Sequence, residues 1–200
     1  MAEDAPISPA THRDALRREM KSRRQALPVA EKLAAGAALA ERLLRFQPMI
    51  EASTVAGYWS VGGEAPLHGV VPRLRGRTRF LLPRLSDDGL LRFAEWQAGD
   101  ALVGNRYGIP EPDIALADCL AASQLDAVLV PLLAFDRQGH RLGMGAGCYD
   151  RTFAARRTGP APPLLIGVGY GFQEVERLDP HEHDVALDWV VTDSELFPCR

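Results

Sequence analysis

The sequence predicts an α/β domain with a mostly parallel, open central sheet flanked by helices, Rossmann-like in general plan. Three observations predict it. Short β-branched and leucine-rich runs alternate with segments of helical periodicity. The apolar run Val128–Leu133 opens into a glycine-rich loop and then a helix start. Finally, 200 residues suit one domain with a substantial core.

The elements follow in order. Residues 1–10, with Pro6 and Pro9, read as frayed. A helix is expected over about Thr11–Ala26, stopped by Pro28, because proline lacks the amide hydrogen a helix interior needs. A second helix spans about Val29–Phe46, with Leu33, Ala37, Ala40 and Leu44 as its apolar stripe. Thr54–Ser60 reads as a strand and Pro66–Leu74 as a short helix. Arg79–Leu82 and Leu91–Trp96 read as strands, and Gln97–Pro112 as an irregular segment rich in Gly and Pro. Strands are expected at Asp126–Pro131, Leu164–Val168 and Leu187–Thr192, with a helix over about Asp150–Arg157. The run Gly159–Pro163 is a stiff connection inside one domain covering residues 1–200.

Composition excludes several classes. A net charge of −3 and an isoelectric point near 6.0 give no basic face for nucleic acid. Cys119, Cys148 and Cys199 are widely spaced with no C-x-x-C, which suits reduced thiols of a cytoplasmic protein rather than a disulfide framework. No apolar run approaches the roughly 20 residues that span a bilayer. The N-terminus carries early acids and no apolar core, so neither a secretory nor a transit peptide is expected.

Chemistry concentrates in one loop. Glycines at 139, 143, 145 and 147 precede Cys148-Tyr149-Asp150-Arg151. Glycine lets backbone N–H groups converge on an anion, and a helix N-terminus adds partial positive charge. Arg141 can neutralise phosphate and Asp150 can hold Mg²⁺, as an ATP site requires. No P-loop motif occurs, and Gly143-Met144-Gly145-Ala146-Gly147 lacks the dinucleotide spacing. Taken alone, such a cluster can equally be a surface loop whose glycines only make turns.

Other candidates are weaker in isolation. Arg13 and Arg17, four apart, share one helix face, which with Arg18, Lys21, Arg23 and Arg24 also reads as a solvated basic surface. Glu64 follows Gly62-Gly63 at a strand end, either an exposed turn carboxylate or a ligand contact at the sheet's carboxyl edge. Trp59 is either core or an aromatic wall. Asp184 follows His181-Glu182-His183, but no H-E-x-x-H or cysteine pair completes a zinc site. Gly167-Val168-Gly169-Tyr170-Gly171 lacks nucleotide spacing and reads as close backbone packing.

Taken whole, D-R-x-G-x-R-L-G-M-G-x-G-x-Y-D-R resembles the 5-formyltetrahydrofolate cyclo-ligase (5,10-methenyltetrahydrofolate synthetase) family. The resemblance spans nearly the whole chain. It takes in the arginine helix, Tyr58-Trp59-Ser60 with Gly63-Glu64, Asn105–Pro112, Gly167–Gln173, His183-Asp184-Val185 and Val191-Thr192.

The resemblance implies ATP- and Mg²⁺-dependent cyclisation of 5-formyltetrahydrofolate to 5,10-methenyltetrahydrofolate, with ADP and phosphate released. It implies ATP binding by Arg13, Arg17, Arg141 and the run Leu142, Gly143, Met144, Gly145, Ala146, Gly147, Cys148 and Tyr149. Folate would contact Trp59, Glu64 and loop residues 144–148, with Glu64 against the pterin. Asp150 and Asp184 would hold Mg²⁺. Asp150 and Tyr149 carry the catalytic assignment, Tyr149 by packing on folate or polarising the formyl group. A monomer or weak homodimer is expected. The alternative is a non-catalytic folate or nucleotide sensor on the same fold, whose sign would be loss of Asp150, Asp184 or Glu64; all three are present. The missing fingerprint argues against a nicotinamide-dependent dehydrogenase.

Three positions depart from the family pattern: Arg13 where lysine is frequent, Met144 where arginine is frequent, and Cys148 where an aromatic residue precedes the tyrosine.

Overall fold

In a computed structural model, residues 9–74, 76 and 78–199 are described. Residues 1–8 of the stretch expected to fray lie outside them, while Pro9 and Ala10 are already helical in α1 (Pro9–Ala26). Helix α2 (Val29–Arg45) follows beyond Pro28, and α3 (Gln47–Glu51) opens with Pro48 in its first turn, where a missing N–H costs nothing.

Seven strands make the main sheet. They are β1 (Thr54–Ala56), β2 (Arg79–Leu85), β3 (Leu91–Glu95), β6 (Ala127–Pro131), β9 (Leu164–Val168), β10 (Trp189–Val191) and β11 (Leu196–Pro198). Two small sheets complete the count: β4 (Leu102–Gly104) with β5 (Pro110–Pro112), and β7 (Ala134–Phe135) with β8 (Arg141–Leu142). The spatial order is β11-β10-β9-β6-β1-β2-β3, parallel except for the two edge strands β3 and β11.

This order locates the site. From β1 the chain moves outward to β2 and β3, then returns to the other side of β1 as β6 and continues through β9 and β10. The carboxyl ends of β1 and β6 therefore flank a topological switch point, where open α/β sheets hold ligands.

Alternation along the strands fills both faces of the sheet. Val55, Phe80, Leu82, Leu129, Ile166 and Val191 pack with Leu39 and Leu43 of α2 in one core. Their neighbours Ala56, Leu81, Val128, Leu165 and Val190 pack with Phe135, Phe153 and Phe197 in the other. Truncating a buried leucine such as Leu39 to alanine should destabilise the fold by about 2–5 kcal/mol.

Several boundaries differ from the sequence expectation. Strand β1 ends at Ala56 rather than Ser60. A Cβ on Gly57 would lie 2.4 Å from the Phe80 ring, so only glycine passes there, and the chain leaves the sheet beyond it. Pro66–Leu74 forms turns and a single 3-10 turn (Val71–Arg73) instead of a helix, being interrupted by Gly69 and Pro72. The helix expected over Asp150–Arg157 starts earlier, as α4 (Cys148–Thr152), breaks at Phe153 and resumes as a 3-10 turn. The irregular segment 97–112 contains the β4–β5 hairpin, whose prolines sit on a two-stranded edge. Strand β11 and the shortening of the Leu187–Thr192 strand to Trp189–Val191 were also not anticipated. The glycine run after β9 is packing: a Cβ on Gly169 would come within 2.8 Å of Leu132. Among the described residues no helix is long and apolar enough to cross a membrane.

Candidate active site

The exit of β6 carries the glycine loop. Beyond the β7–β8 hairpin the chain runs exposed through Met144, Gly145 and Ala146 into α4. Its carbonyls are held from outside: Arg17 Nε donates to Gly143 O at 3.1 Å, and Arg151 donates to Ala146 O at 2.8 Å. Arg151 also donates to Gly89 O at 3.2 Å, tying the loop to the β2–β3 turn. Among the described residues, no acceptor takes the backbone N–H groups of residues 143–147. With two of its carbonyls held and its N–H groups without an acceptor in the protein, the loop has backbone donors to offer an anion. Helix α4 is only five residues long, so the loop amides rather than a long helix dipole supply the positive field.

The arginines and carboxylates pair with one another. Arg141 is buried; it donates to Asp150 Oδ1 at 2.5 Å and to the Val185 carbonyl, while Val185 N–H donates to the same Asp150 oxygen at 3.0 Å. Asp184, the preceding residue, takes Arg13 at 3.3 Å and the His181 N–H at 2.9 Å on its Oδ2. Asp150 and Asp184 thus lie on either side of one peptide link, although 34 residues separate them in sequence. Arg13 also donates to Asp179 O at 2.8 Å, so the i,i+4 arginine face of α1 is docked on both loops rather than solvated. The Leu142 side chain is buried in a core cluster with Met20 and Leu178, leaving only its backbone for a ligand.

The exit of β1 is built differently. Gly62 and Gly63 both have positive φ and close a turn in which Glu64 N–H donates to Val61 O at 3.1 Å. Three of the next carbonyls are taken. Arg24 donates to Gly62 O at 3.1 Å, Tyr170 OH to Gly63 O at 3.2 Å, and Tyr58 OH to Ala65 O at 2.6 Å. The Glu64 carboxylate is 9% exposed, accepts the Val61 N–H at 3.0 Å and stands 3.7 Å from Arg24. Burial raises its pKa, while that N–H and the Arg24 charge pull the other way. Trp59 is partly buried against the first core and meets Trp96 edge-to-face at 5.6 Å.

Tyr149 joins the two sides. It stacks on Phe153 at 6.2 Å, and burial holds its phenol far above the usual value, with the nearby Glu64 charge adding and Arg141 opposing. It therefore serves as a hydrogen-bond donor near neutral pH, not as a base. Cys148 packs at the edge of the second core, 3.7 Å from an Arg151 nitrogen.

Sequence reasoning gave no site role to three residues that shape the site, Arg24, Tyr58 and Tyr170, and noted Arg151 only as the neighbour of Asp150. Arg24, read as part of a basic surface, is 2% exposed. Its signal in the sequence was slight, one more arginine in a run of them.

An open parallel sheet with a glycine loop, arginines and a buried carboxylate at its switch point defines a class of α/β enzymes that handle anionic substrates at the carboxyl edge. The comparisons narrow the class. The 5-formyltetrahydrofolate cyclo-ligase family profile matches residues 9–193. A 5-formyltetrahydrofolate cyclo-ligase of Escherichia coli K12 is 36% identical over 181 residues, covering 89% of this chain and 98% of the relative. One from Haemophilus influenzae is 30% identical, covering 88% and 94%. The structure of Aquifex aeolicus 5,10-methenyltetrahydrofolate synthetase superposes with a TM-score of 0.80 at 27% identity, covering 94% of this chain and 93% of that one. The chain belongs to the 5-formyltetrahydrofolate cyclo-ligase family and is a ligase.

Proposed function

We propose that the chain cyclises 5-formyltetrahydrofolate to 5,10-methenyltetrahydrofolate with ATP, placing the triphosphate on the β6 exit and the folate on the β1 exit. One observation carries the reading: the backbone N–H groups of residues 143–147, which have no acceptor among the described residues, and the buried Glu64 carboxylate flank the same switch point.

The formyl oxygen attacks the γ-phosphorus and ADP leaves. The folate's N10 nitrogen then bonds to the activated formyl carbon, losing its proton, as the carbon–oxygen bond breaks and phosphate departs. Such transfers are accelerated mainly by alignment and charge neutralisation. Arg13, Arg17 and Arg141 and the amides of 143–147 hold the triphosphate. An incoming phosphate competes for guanidinium N–H groups that Asp150 and Asp184 occupy, so binding is an exchange of ion pairs. Glu64 accepts from the pterin's N–H groups, Trp59 and the loop through Cys148 pack on the folate, and Tyr149 donates toward the formyl oxygen.

Among the described residues no three His, Cys, Asp or Glu side chains gather as a metal site. Mg²⁺ does not need three, since it takes one or two carboxylates plus phosphates and water. Asp150 and Asp184 fit it: each engages one oxygen internally, and among the described residues the other accepts no hydrogen bond. Mg²⁺ held there supplies charge neutralisation on the phosphate oxygens. A cytoplasmic setting accords with the three free cysteines.

The test mixes the protein with 5-formyltetrahydrofolate, ATP and Mg²⁺ and follows the methenyl-folate absorbance, omitting each component in turn. Growth that needs all of them is expected; folate and ATP binding without product would restore the sensor reading.

A further inference from the structure

Arg24 stands apart from the other α1 arginines. Arg13 and Arg17 reach the phosphate side, whereas Arg24, two turns beyond Arg17, lies under the switch point with 2% exposure. Its Nε donates to Gly62 O on the β1 exit at 3.1 Å. One terminal nitrogen donates to Leu132 O on the β6 exit at 3.3 Å and stands 3.7 Å from Glu64 Oε1. The two strand ends that flank the switch point are thus joined by a single guanidinium. Lysine, with one nitrogen, cannot reproduce that spread of donors.

A buried arginine is held against a desolvation penalty and is retained where its geometry is used. Two of its three contacts here, to Gly62 O and Glu64, lie on the loop that presents Glu64, and the third anchors that loop to the β6 exit. The ionisable groups facing Glu64 from the packed elements are Arg24 on α1, Tyr58 on the β1 exit, Tyr149 on α4 and Tyr170 on the β9 exit. The three phenols are neutral near pH 7, all with raised pKa values, so Arg24 supplies the positive charge.

We infer that Arg24 is a positioning residue of the folate pocket, tying the β1 and β6 exits together and presenting Glu64, as an anion, to the pterin. This rests on the reading of Glu64 as the folate carboxylate. Among the described residues Arg24 makes no hydrogen bond to Arg13, Arg17, Arg141 or the loop 143–147, so its removal acts first on the folate side. It also counters the burial that favours protonated Glu64, so its loss makes folate use fail at a higher pH.

The experiment measures KM for folate and for ATP, and the acid limb of kcat/KM for folate, in the full chain carrying Arg24→Met, Arg24→Lys, Glu64→Gln or Arg24→Met with Glu64→Gln. Arg24→Met should raise folate KM at least about tenfold, leave ATP KM within about twofold and move the acid limb to higher pH. Arg24→Lys should keep the limb near its original place, since the charge remains, while folate KM still rises because the bridge is lost. The double variant should be little worse than Glu64→Gln alone, because the two residues act as one unit. If Arg24→Met does not fold, Arg24→Lys and the charge-neutral double variant decide. An unchanged folate KM in Arg24→Lys, or folate and ATP KM rising together in any Arg24 variant, overturns the inference. An unchanged folate KM in Glu64→Gln instead overturns the assignment of Glu64, a separate result.

Discussion

Between Gly57 and Ala65 the chain turns on backbone hydrogen bonds to buried side chains, with its one carboxylate 9% exposed. Between Gly143 and Asp150 it is exposed at residues 144–146, with arginines on its carbonyls and the Asp150 carboxylate paired to Arg141. The two segments lie beyond the carboxyl ends of neighbouring strands, β1 and β6, at the switch point of the sheet. The difference follows from what each is proposed to hold. A rigid planar ring with fixed donors is best met by a rigid acceptor whose position is set beforehand. A flexible triphosphate carrying several charges is better met by ion pairs that exchange partners, because a preformed cluster of unpaired arginines would repel itself.

The largest effect expected on this contrast comes from Asp150→Asn. The amide can still accept from Arg141 and Val185 N–H, so the fold and melting temperature should be nearly unchanged. Turnover should fall by roughly 10²–10³, as when one well-placed electrostatic group is lost. Full activity of this variant at limiting Mg²⁺ removes Asp150 from the metal site.

A smaller effect is expected from the arginines. Arg13→Ala and Arg17→Ala should each raise ATP KM about tenfold, the weight of a charged hydrogen bond, and spare folate KM. Because Arg13 holds the Asp184 loop and Arg17 holds Gly143, the double variant tests whether the two loops grip one triphosphate. A loss differing from the sum of the singles indicates a shared ligand. Additive effects below about threefold would return both residues to a merely solvated face.

The smallest expected effect is at Cys148. Restoring an aromatic ring, Cys148→Phe, should tighten folate binding by about fivefold, the roughly 1 kcal/mol that ring stacking adds beyond buried area. Folate titration and a melt of the same variant check it. Unchanged affinity with a lowered melting temperature means that the ring is forced into the second core beside Arg151, and that Cys148 is a packing residue.

The contrast also explains what could be read from the sequence. The β6 exit was legible because its signal is local: four glycines, an arginine and an aspartate within a dozen residues after an apolar strand. The parallel α/β class was legible from the same alternation, and α2 was placed to within one residue. The β1 exit was only half legible. Gly62-Gly63 marked a turn, but what holds it lies 38 residues away in Arg24 and 107 away in Tyr170, and chain-distant burial leaves no local pattern. The pairing of Asp150 with the Asp184 segment is equally non-local. Elements that owe their form to tertiary packing were misjudged: the peeling of the chain at Gly57 under Phe80, the β4–β5 hairpin, and the edge strand β11.

The two-sided account is tested most directly by one crossed comparison, KM for ATP and for 5-formyltetrahydrofolate in Glu64→Gln and Arg17→Ala, followed by the methenyl-folate absorbance. The account predicts a crossing: Glu64→Gln raises folate KM about tenfold with ATP KM within about twofold, and Arg17→Ala does the reverse. Parallel rises in both constants for both variants, or an ATP-specific effect of Glu64→Gln, would contradict it.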